Sequence, residues 1–347
     1  MVHATSLPSK SLCGFRIITG IFLLFFATPN FLWLNEVPKI FFNPPIFSLA
    51  YFANDFPSII WLFVFNLLLI LSSFNIILGI KTRASTFVYL LSFIVLSSFQ
   101  FSFGKVDHVS LLLLAMLFCL AFSEWGRDLA LVPDKALNSD FNIKSLSLLS
   151  VLICFSFFSA GFEKALHWIN FDFSTSGSAA WYYKQQRAYL LGPYVPGIFP
   201  FWAFKILDFI AVAFELSPFI FLLIGPKAWR LWLISACIFH LCNTLFFNIL
   251  FNPFAIAYLA FADSSTFYDW LKRKADTTFM LTTLLMITVV LIYRIYLLTT
   301  NCHAANLFLS DNDSEGTLYF AIGIWILSIS MLLFTLRKTK HMQFLPN

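Results

Sequence analysis

A chain of 347 residues that is 60% hydrophobic and only 11% charged, with 46 Phe, carries more apolar surface than a soluble protein can hide. Its formal net charge of +5 comes largely from Lys and Arg in short loops and the C-terminal tail, where they orient membrane spans, so no nucleic-acid partner is expected. Backbone polar groups in lipid must be satisfied within the segment, so the expected fold is all-α, a polytopic integral membrane bundle of about nine or ten transmembrane helices.

The apolar runs, in chain order, are 14–34, 58–80, 84–103, 109–123, 145–168, 203–224, 229–250, a short one at 253–262, 278–298 and 317–336. Lys10 and Arg16 precede the first run, but Ala27-Thr28-Pro29 is a poor cleavage site, and the run reads as a retained anchor. Charge decides whether 229–262 crosses once or twice. If the Asn252-Pro253 step makes two passes, one side holds Lys10, Lys81, Arg83, Arg127, Lys135, Lys144, Lys227, Arg230, Lys272, Arg273, Lys274, Arg337, Lys338 and Lys340. The other holds only Lys39, Lys105, Lys184 and Arg187. A single pass would scatter these groups over both sides. The bias fits two passes, with both termini cytoplasmic and the eighth run a short or broken helix buried among others. A bacterial inner membrane is the expected setting.

Two outer loops, 35–57 and 169–202, are rich in aromatics and proline and suit interfacial hairpins or lids. The cysteines Cys13, Cys119, Cys154, Cys237, Cys242 and Cys302 form no framework, and those inside apolar runs read as small hydrophobes. No HxxxH, ExxH or CxxC spacing places two metal ligands on one helix face, so no metal site is expected.

Ionisable residues in apolar runs are costly and default to function. The densest stretch is Ser159-Ala160-Gly161-Phe162-Glu163-Lys164-Ala165-Leu166-His167-Trp168. Others are Asp107, His108, Lys205, Asp208, Glu215, His240 and Arg294. By the charge-derived topology His108, Lys164, Asp208 and His240 all fall in the outer half of the membrane. A desolvated Lys164 with no carboxylate nearby would be a poised general base, whereas a pairing with Glu163 or Glu215 would keep it charged, as structural glue or an anion site. Adjacent helix positions do not face each other, which disfavours Glu163 as the partner. Lys205 and Asp208, three residues apart, read as an interfacial ion pair, and Arg294 as an interfacial anchor. For His240 an interhelical hydrogen bond is the structural alternative, and for Glu215 a bond to backbone freed by Pro218.

Ala160-Gly161-Phe162-Glu163-Lys164 with His167-Trp168, then Phe214-Glu215-Leu216-Ser217 and Phe239-His240-Leu241-Cys242-Asn243, resembles the membrane part of the vitamin K-dependent gamma-carboxylases and the HTTM (horizontally transferred transmembrane) domain proteins. Asp107-His108-Val109-Ser110 is similar to that family's histidine-bearing span. The resemblance implies Lys164 as general base, His108 as its proton partner and His240 orienting the ligand. It also implies Glu215, Asn243 and Trp168 as cofactor-binding residues and a quinone or hydroquinone, vitamin K-like, as cofactor. Glu163 stands where the carboxylases have a second lysine. The expected domains are a carboxylase-like transmembrane region over 1–265 and two further spans with a basic tail over 266–347. The expected function is a carboxylase-like membrane enzyme acting with a small lipid-soluble ligand or a peptide substrate. The other reading is a non-enzymatic component of peptide maturation, immunity or small-solute transport.

Overall fold

A computed structural model describes residues 7–103, 108–136, 140–184, 188–300, 305–309 and 314–342. Its helices are α1 (Ser9–Phe26), α2 (Ile59–Leu78), α3 (Thr82–Gln100), α4 (Leu111–Ala121), α5 (Asp140–Trp168), α6 (Gly177–Lys184), α7 (Val195–Ile198), α8 (Phe201–Leu216), α9 (Pro218–Ile224), α10 (Pro226–Phe247), α11 (Asn252–Leu259), α12 (Ser265–Lys274), α13 (Thr277–Leu298) and α14 (Ser314–Met342). No strand forms among the described residues. The chain is an all-α integral membrane protein.

Seven helices, α1, α2, α3, α5, α10, α13 and α14, are each long and apolar enough to cross a bilayer. The remaining expected runs are shorter as helices. α4 has 11 residues, and the run at 203–224 divides at Ser217 into α8 of 16 and α9 of 7. The short run near 253 is α11, of 8 residues. Pro218 causes the first division, because it has no N–H to give Phe214. Ser217 compensates by donating to the Phe214 carbonyl from both its backbone N, at 3.1 Å, and its Oγ, at 2.7 Å. The freed backbone group is therefore satisfied by Ser217, not by Glu215. α10 ends where Asn248 takes a left-handed conformation (φ 51°), which Asn tolerates better than most residues. The chain restarts at Asn252 with Pro253 in the first turn, and Phe254 through Leu259 are all buried, as a short helix among others requires.

The chain forms two compact units interleaved in sequence, one of Leu7–Ser145 with Asp263–Asp313, the other of Leu146–Ala262 with Ser314–Asn347. In the first unit α2 packs on α1, α3 and α13, α3 on α4, and α1 on α12. The C-terminus of α1 shows how such a bundle satisfies its backbone away from water. Thr28 Oγ1 donates to Leu23 O at 2.8 Å, Arg294 Nε to Leu24 O at 2.7 Å, and Leu307 N to Phe25 O at 2.9 Å. Arg294 is only 4% exposed and also donates to the carbonyls of Thr28 and Ala305. It is a buried helix cap rather than an interfacial anchor, with its cation at the negative end of the helix dipole.

Basic segments meet at one end of this unit. Lys10 pairs with Asp269 at 3.2 Å, Lys81 N donates to Val132 O at 2.9 Å, Arg83 N to Asp134 Oδ2 at 3.0 Å, and the Tyr268 hydroxyl to Asp128. Arg16 is fully buried and donates to Leu129 O beside Gly79, where a Cβ would lie 2.1 Å from Arg16 Nη1. Only glycine fits there, and its φ of +69° also caps α2. Elsewhere in the unit the stretch 32–57, which includes the expected outer loop 35–57, folds into three short 3₁₀ turns. It exposes Ile40, Ile46, Phe47 and Phe52 and is joined to Phe103 through Asn43.

In the second unit α10 packs on α9 and α14, α11 on α14, and α6 on α8. Its core is aromatic. Phe157, Phe214, Trp229, Trp232, Tyr258 and Trp325 contact one another in a chain of stacked and edge-on rings. Ser217 ties this core to the α8–α9 break by accepting from Trp232 Nε1 at 3.0 Å. The five described cysteines are free thiols, four of them buried, and Cys302 and Asp107 lie outside the described residues.

Candidate functional site

The site is built on the last two turns of α5. Gly161 and Lys164 are three residues apart and therefore share a helix face. Gly161 lets α8 approach so closely that a Cβ there would lie 2.8 Å from Glu215 Cβ and 3.1 Å from the Glu215 carbonyl carbon. That contact brings the Glu215 carboxylate onto Lys164, whose Nζ pairs with Oε1. Glu215 has a side chain only 5% exposed, against 28% for Lys164. The second carboxylate oxygen, Oε2, is buried without a hydrogen-bond partner. Glu163 is exposed and forms no ion pair among the described residues.

Trp168, one turn beyond Lys164, places its ring 5.3 Å from Nζ, a cation–π distance. Two devices hold it. Lys205 Nζ donates to the Trp168 carbonyl at 2.9 Å and to Asn170 Oδ1 at 2.7 Å, capping the C-terminus of α5. Gly177 packs directly on the indole, where a Cβ would lie 2.2 Å from Trp168 Cδ2. Gly177 is itself fixed by Asp208, which accepts from Gly177 N at 3.0 Å and Ser178 N at 2.8 Å. Lys205 and Asp208 are both fully buried, and among the described residues their charges go to separate partners rather than to each other. Each serves a different helix end, the cation a C-terminus and the anion an N-terminus, as the helix dipoles favour. The expected interfacial ion pair is thus replaced by two buried caps.

His240, on α10, is 3% exposed, with Nε2 3.0 Å from the Tyr258 hydroxyl on α11. Its ring stacks on Trp325 at 5.0 Å and meets Phe251 at 4.8 Å. Nδ1 has no hydrogen-bond partner. Asn243 is half-buried on the same helix, and its carbonyl accepts from Asn248 N and Ile249 N at the helix end. His108 belongs to the other unit. It is exposed just before α4, and its carbonyl accepts from Leu111 N at 3.0 Å.

Of the expected residues, Lys164, Glu215, Trp168, His240 and Asn243 therefore share one unit, with Phe157 linking His240 to Phe214, the neighbour of Glu215 on α8. Sequence reading missed Tyr258, Trp325 and Gly177, which sit in apolar or loop stretches with no spacing signal to mark them. Gly161 carried a signal, because a glycine one turn before an intramembrane lysine marks a close helix approach on the lysine's own face.

The long apolar helices define a polytopic helical membrane protein, and Lys164, Glu215, His240 and Tyr258 a largely buried polar cluster in its second unit. A family model described as the HTTM domain matches residues 5–270, and the chain belongs to that family. No curated protein and no solved structure matches it.

Proposed function

We propose that this HTTM-domain protein is a carboxylase-like membrane enzyme whose proton chemistry sits at the Lys164–Glu215 pair. The observation that supports the reading is the buried Glu215 carboxylate, with Oε1 on Lys164 and Oε2 unpartnered. Burial raises the cost of two separated charges, so the pair can exchange a proton internally at modest cost. In the ion pair Lys164 is the charged partner; a proton passed from its Nζ to Glu215 Oε1 leaves a neutral amine, whose lone pair then accepts a proton from the substrate as a general base. In its charged form Lys164 instead stabilises an oxyanion, with Trp168 shielding one side. Orphaned Glu215 Oε2, and orphaned His240 Nδ1 on a ring packed against Trp325 and Phe157, suit a flat apolar ligand with oxygen atoms. A hydroquinone is such a ligand, and when bound it would supply two electrons and an ionisable hydroxyl. His240 and Asn243 orient it, and a peptide is the second substrate class this reading allows.

Native mass spectrometry with lipid extraction tests the reading on purified wild type, Lys164→Ala and Glu215→Gln. A quinone that co-purifies with wild type and is lost from both variants supports it. A wild-type protein that stays empty after incubation with added quinol overturns it. His108→Ala, assayed alongside, reads separately the role that the carboxylase resemblance assigns to His108.

The satisfied geometry of Lys205 and Asp208 favours a second reading, in which Lys164 and Glu215 likewise only fasten helices. The protein would then be a non-enzymatic component of peptide maturation, immunity or solute transport. Lys164→Met/Glu215→Gln removes both charges and separates the two: bound quinone is lost under the first reading, and only the unfolding midpoint in detergent falls under the second. For either reading we place the protein in a bacterial inner membrane with both termini cytoplasmic, supported by the loop charge bias and by the meeting of basic loops at one end of the first unit.

A further inference from the structure

The segment between Asp263 and α13 was expected only as a basic loop, yet it folds into α12, a short and strongly two-faced helix of sequence Ser-Thr-Phe-Tyr-Asp-Trp-Leu-Lys-Arg-Lys. One side is fastened inward. Ser264 N donates to Ser11 Oγ at 2.9 Å, Tyr268 is 4% exposed and donates to Asp128, and Asp269 pairs with Lys10. The last turn of α12 is exposed and basic, with Lys272, Arg273 and Lys274; Lys272 lies one turn after Tyr268, with Nζ 3.5 Å from the Tyr268 hydroxyl. Arg273 and Lys274 form no ion pair among the described residues; of the acids near them, Asp269 is held by Lys10 and Asp276 caps α13 by accepting from Phe279 N at 2.7 Å.

Three further observations locate this face. α12 ends three residues before α13, a span of 22 residues, so its C-terminal turn lies at the membrane surface. An aromatic group continues from it toward the span: Phe267 stacks on Trp270, 42% exposed, and Trp270 meets Phe279 of α13 edge-on at 5.9 Å. Indole rings favour the headgroup layer, which sets the depth of the neighbouring cations. Finally, Thr266, Asp269, Lys272 and Arg273 line an open groove of about 480 Å³, a size suited to a lipid headgroup rather than a single ion.

We infer that the α12 groove is a binding site for an anionic phospholipid headgroup. Lys272 and Arg273 face its phosphate, Arg273 offers paired N–H donors to the oxygens, the Thr266 hydroxyl takes a further polar contact, and Trp270 packs on the glycerol and upper acyl region. The site lies in the first unit and uses none of the residues proposed for proton chemistry, so it stands or falls independently of that reading.

The test is retention of phospholipid by the full chain, purified from membranes containing phosphatidylglycerol and phosphatidylcholine, and quantified by native mass spectrometry. Wild type is expected to retain phosphatidylglycerol preferentially. Lys272→Gln/Arg273→Gln is expected to hold it about thirtyfold less tightly, from about fivefold per basic side chain. Arg337→Gln/Lys338→Gln removes the same charge from another basic segment and is expected to leave retention unchanged. Trp270→Phe, milder for folding, is expected to weaken it a few-fold. Equal loss in the α12 and α14 variants would overturn the site in favour of general charge, and equal retention of both lipids by wild type would overturn it outright. Competition by inorganic phosphate as strong as by phosphatidylglycerol would also overturn it, by showing a free-anion site instead.

Discussion

Gly161 and Glu215 show how much of the site depends on single atoms. An added methyl at 161 meets backbone and Cβ of the facing helix, which cannot swing away as a side-chain tip can. Gly161→Ala is expected to cost about 1–3 kcal/mol by overpacking, read as a lowered unfolding midpoint in detergent, and to loosen the Lys164–Glu215 pair with it. The pair itself is expected to show a coupling of about 1–3 kcal/mol in a double-mutant cycle of Lys164→Met and Glu215→Gln. That lies below the roughly 3–5 kcal/mol of a fully buried pair, because Lys164 keeps some solvent contact. A cycle with no coupling would mean that the two charges do not meet.

Asp128 and Tyr268, outside the spans, supply a pH signature. The Tyr268 hydroxyl bond holds the Asp128 carboxyl below its ordinary range, with Lys272 and Arg127 assisting. Burial, then the same bond, pushes Tyr268 up to about 12. A depressed carboxylate stabilises above its unfolded pKa, and that contribution is lost as pH falls through the folded value. A raised phenol stabilises below its ordinary value of about 10 and loses that contribution as pH rises toward about 12. Wild type and Asp128→Asn are therefore expected to differ by a constant margin in unfolding midpoint between about pH 5 and 9, narrowing at both extremes. A margin independent of pH would exclude the bond as its source.

At the scale of elements, the buried charges act on helix ends. Asp208→Ala leaves the amides of Gly177 and Ser178 without an acceptor and is expected to cost about 1–2 kcal/mol, with faster hydrogen exchange confined to the start of α6. Lys205→Met is expected instead to free the end of α5 and the Trp168 carbonyl. If either variant accelerated exchange equally at both helix ends, Lys205 and Asp208 would be acting as a pair after all. The same logic explains why α8 stops at Leu216 although the apolar run continues: Pro218 forces the break and Ser217 makes it tolerable.

Over the whole molecule, composition settled the class and the apolar runs settled most spans, because hydrophobic length is a property of consecutive residues. Seven of those runs are helices long enough to cross. The stretch around Lys164 was legible as a site for the same reason, since charge inside an apolar run stands out without any knowledge of packing. The fate of each charge was not legible. Whether Lys164 met Glu163, Glu215 or neither, whether Lys205 faced Asp208 or a helix end, and whether Arg294 reached the surface all depend on which helices lie side by side. Lys205 and Asp208 stand one turn apart in sequence yet serve α5 and α6 respectively.

Sequence by itself therefore determined an all-helical membrane chain, its HTTM character and the location of a polar stretch in α5, through local hydrophobicity and residue order. Tertiary structure alone decided the partners: Glu215 for Lys164, Tyr258 and Trp325 for His240, Gly177 for Trp168, and a basic amphipathic α12 where a loop was expected. The physical reason is that burying a charge in lipid is a strictly local cost, whereas relieving that cost needs a neighbour brought close by the packing of distant segments.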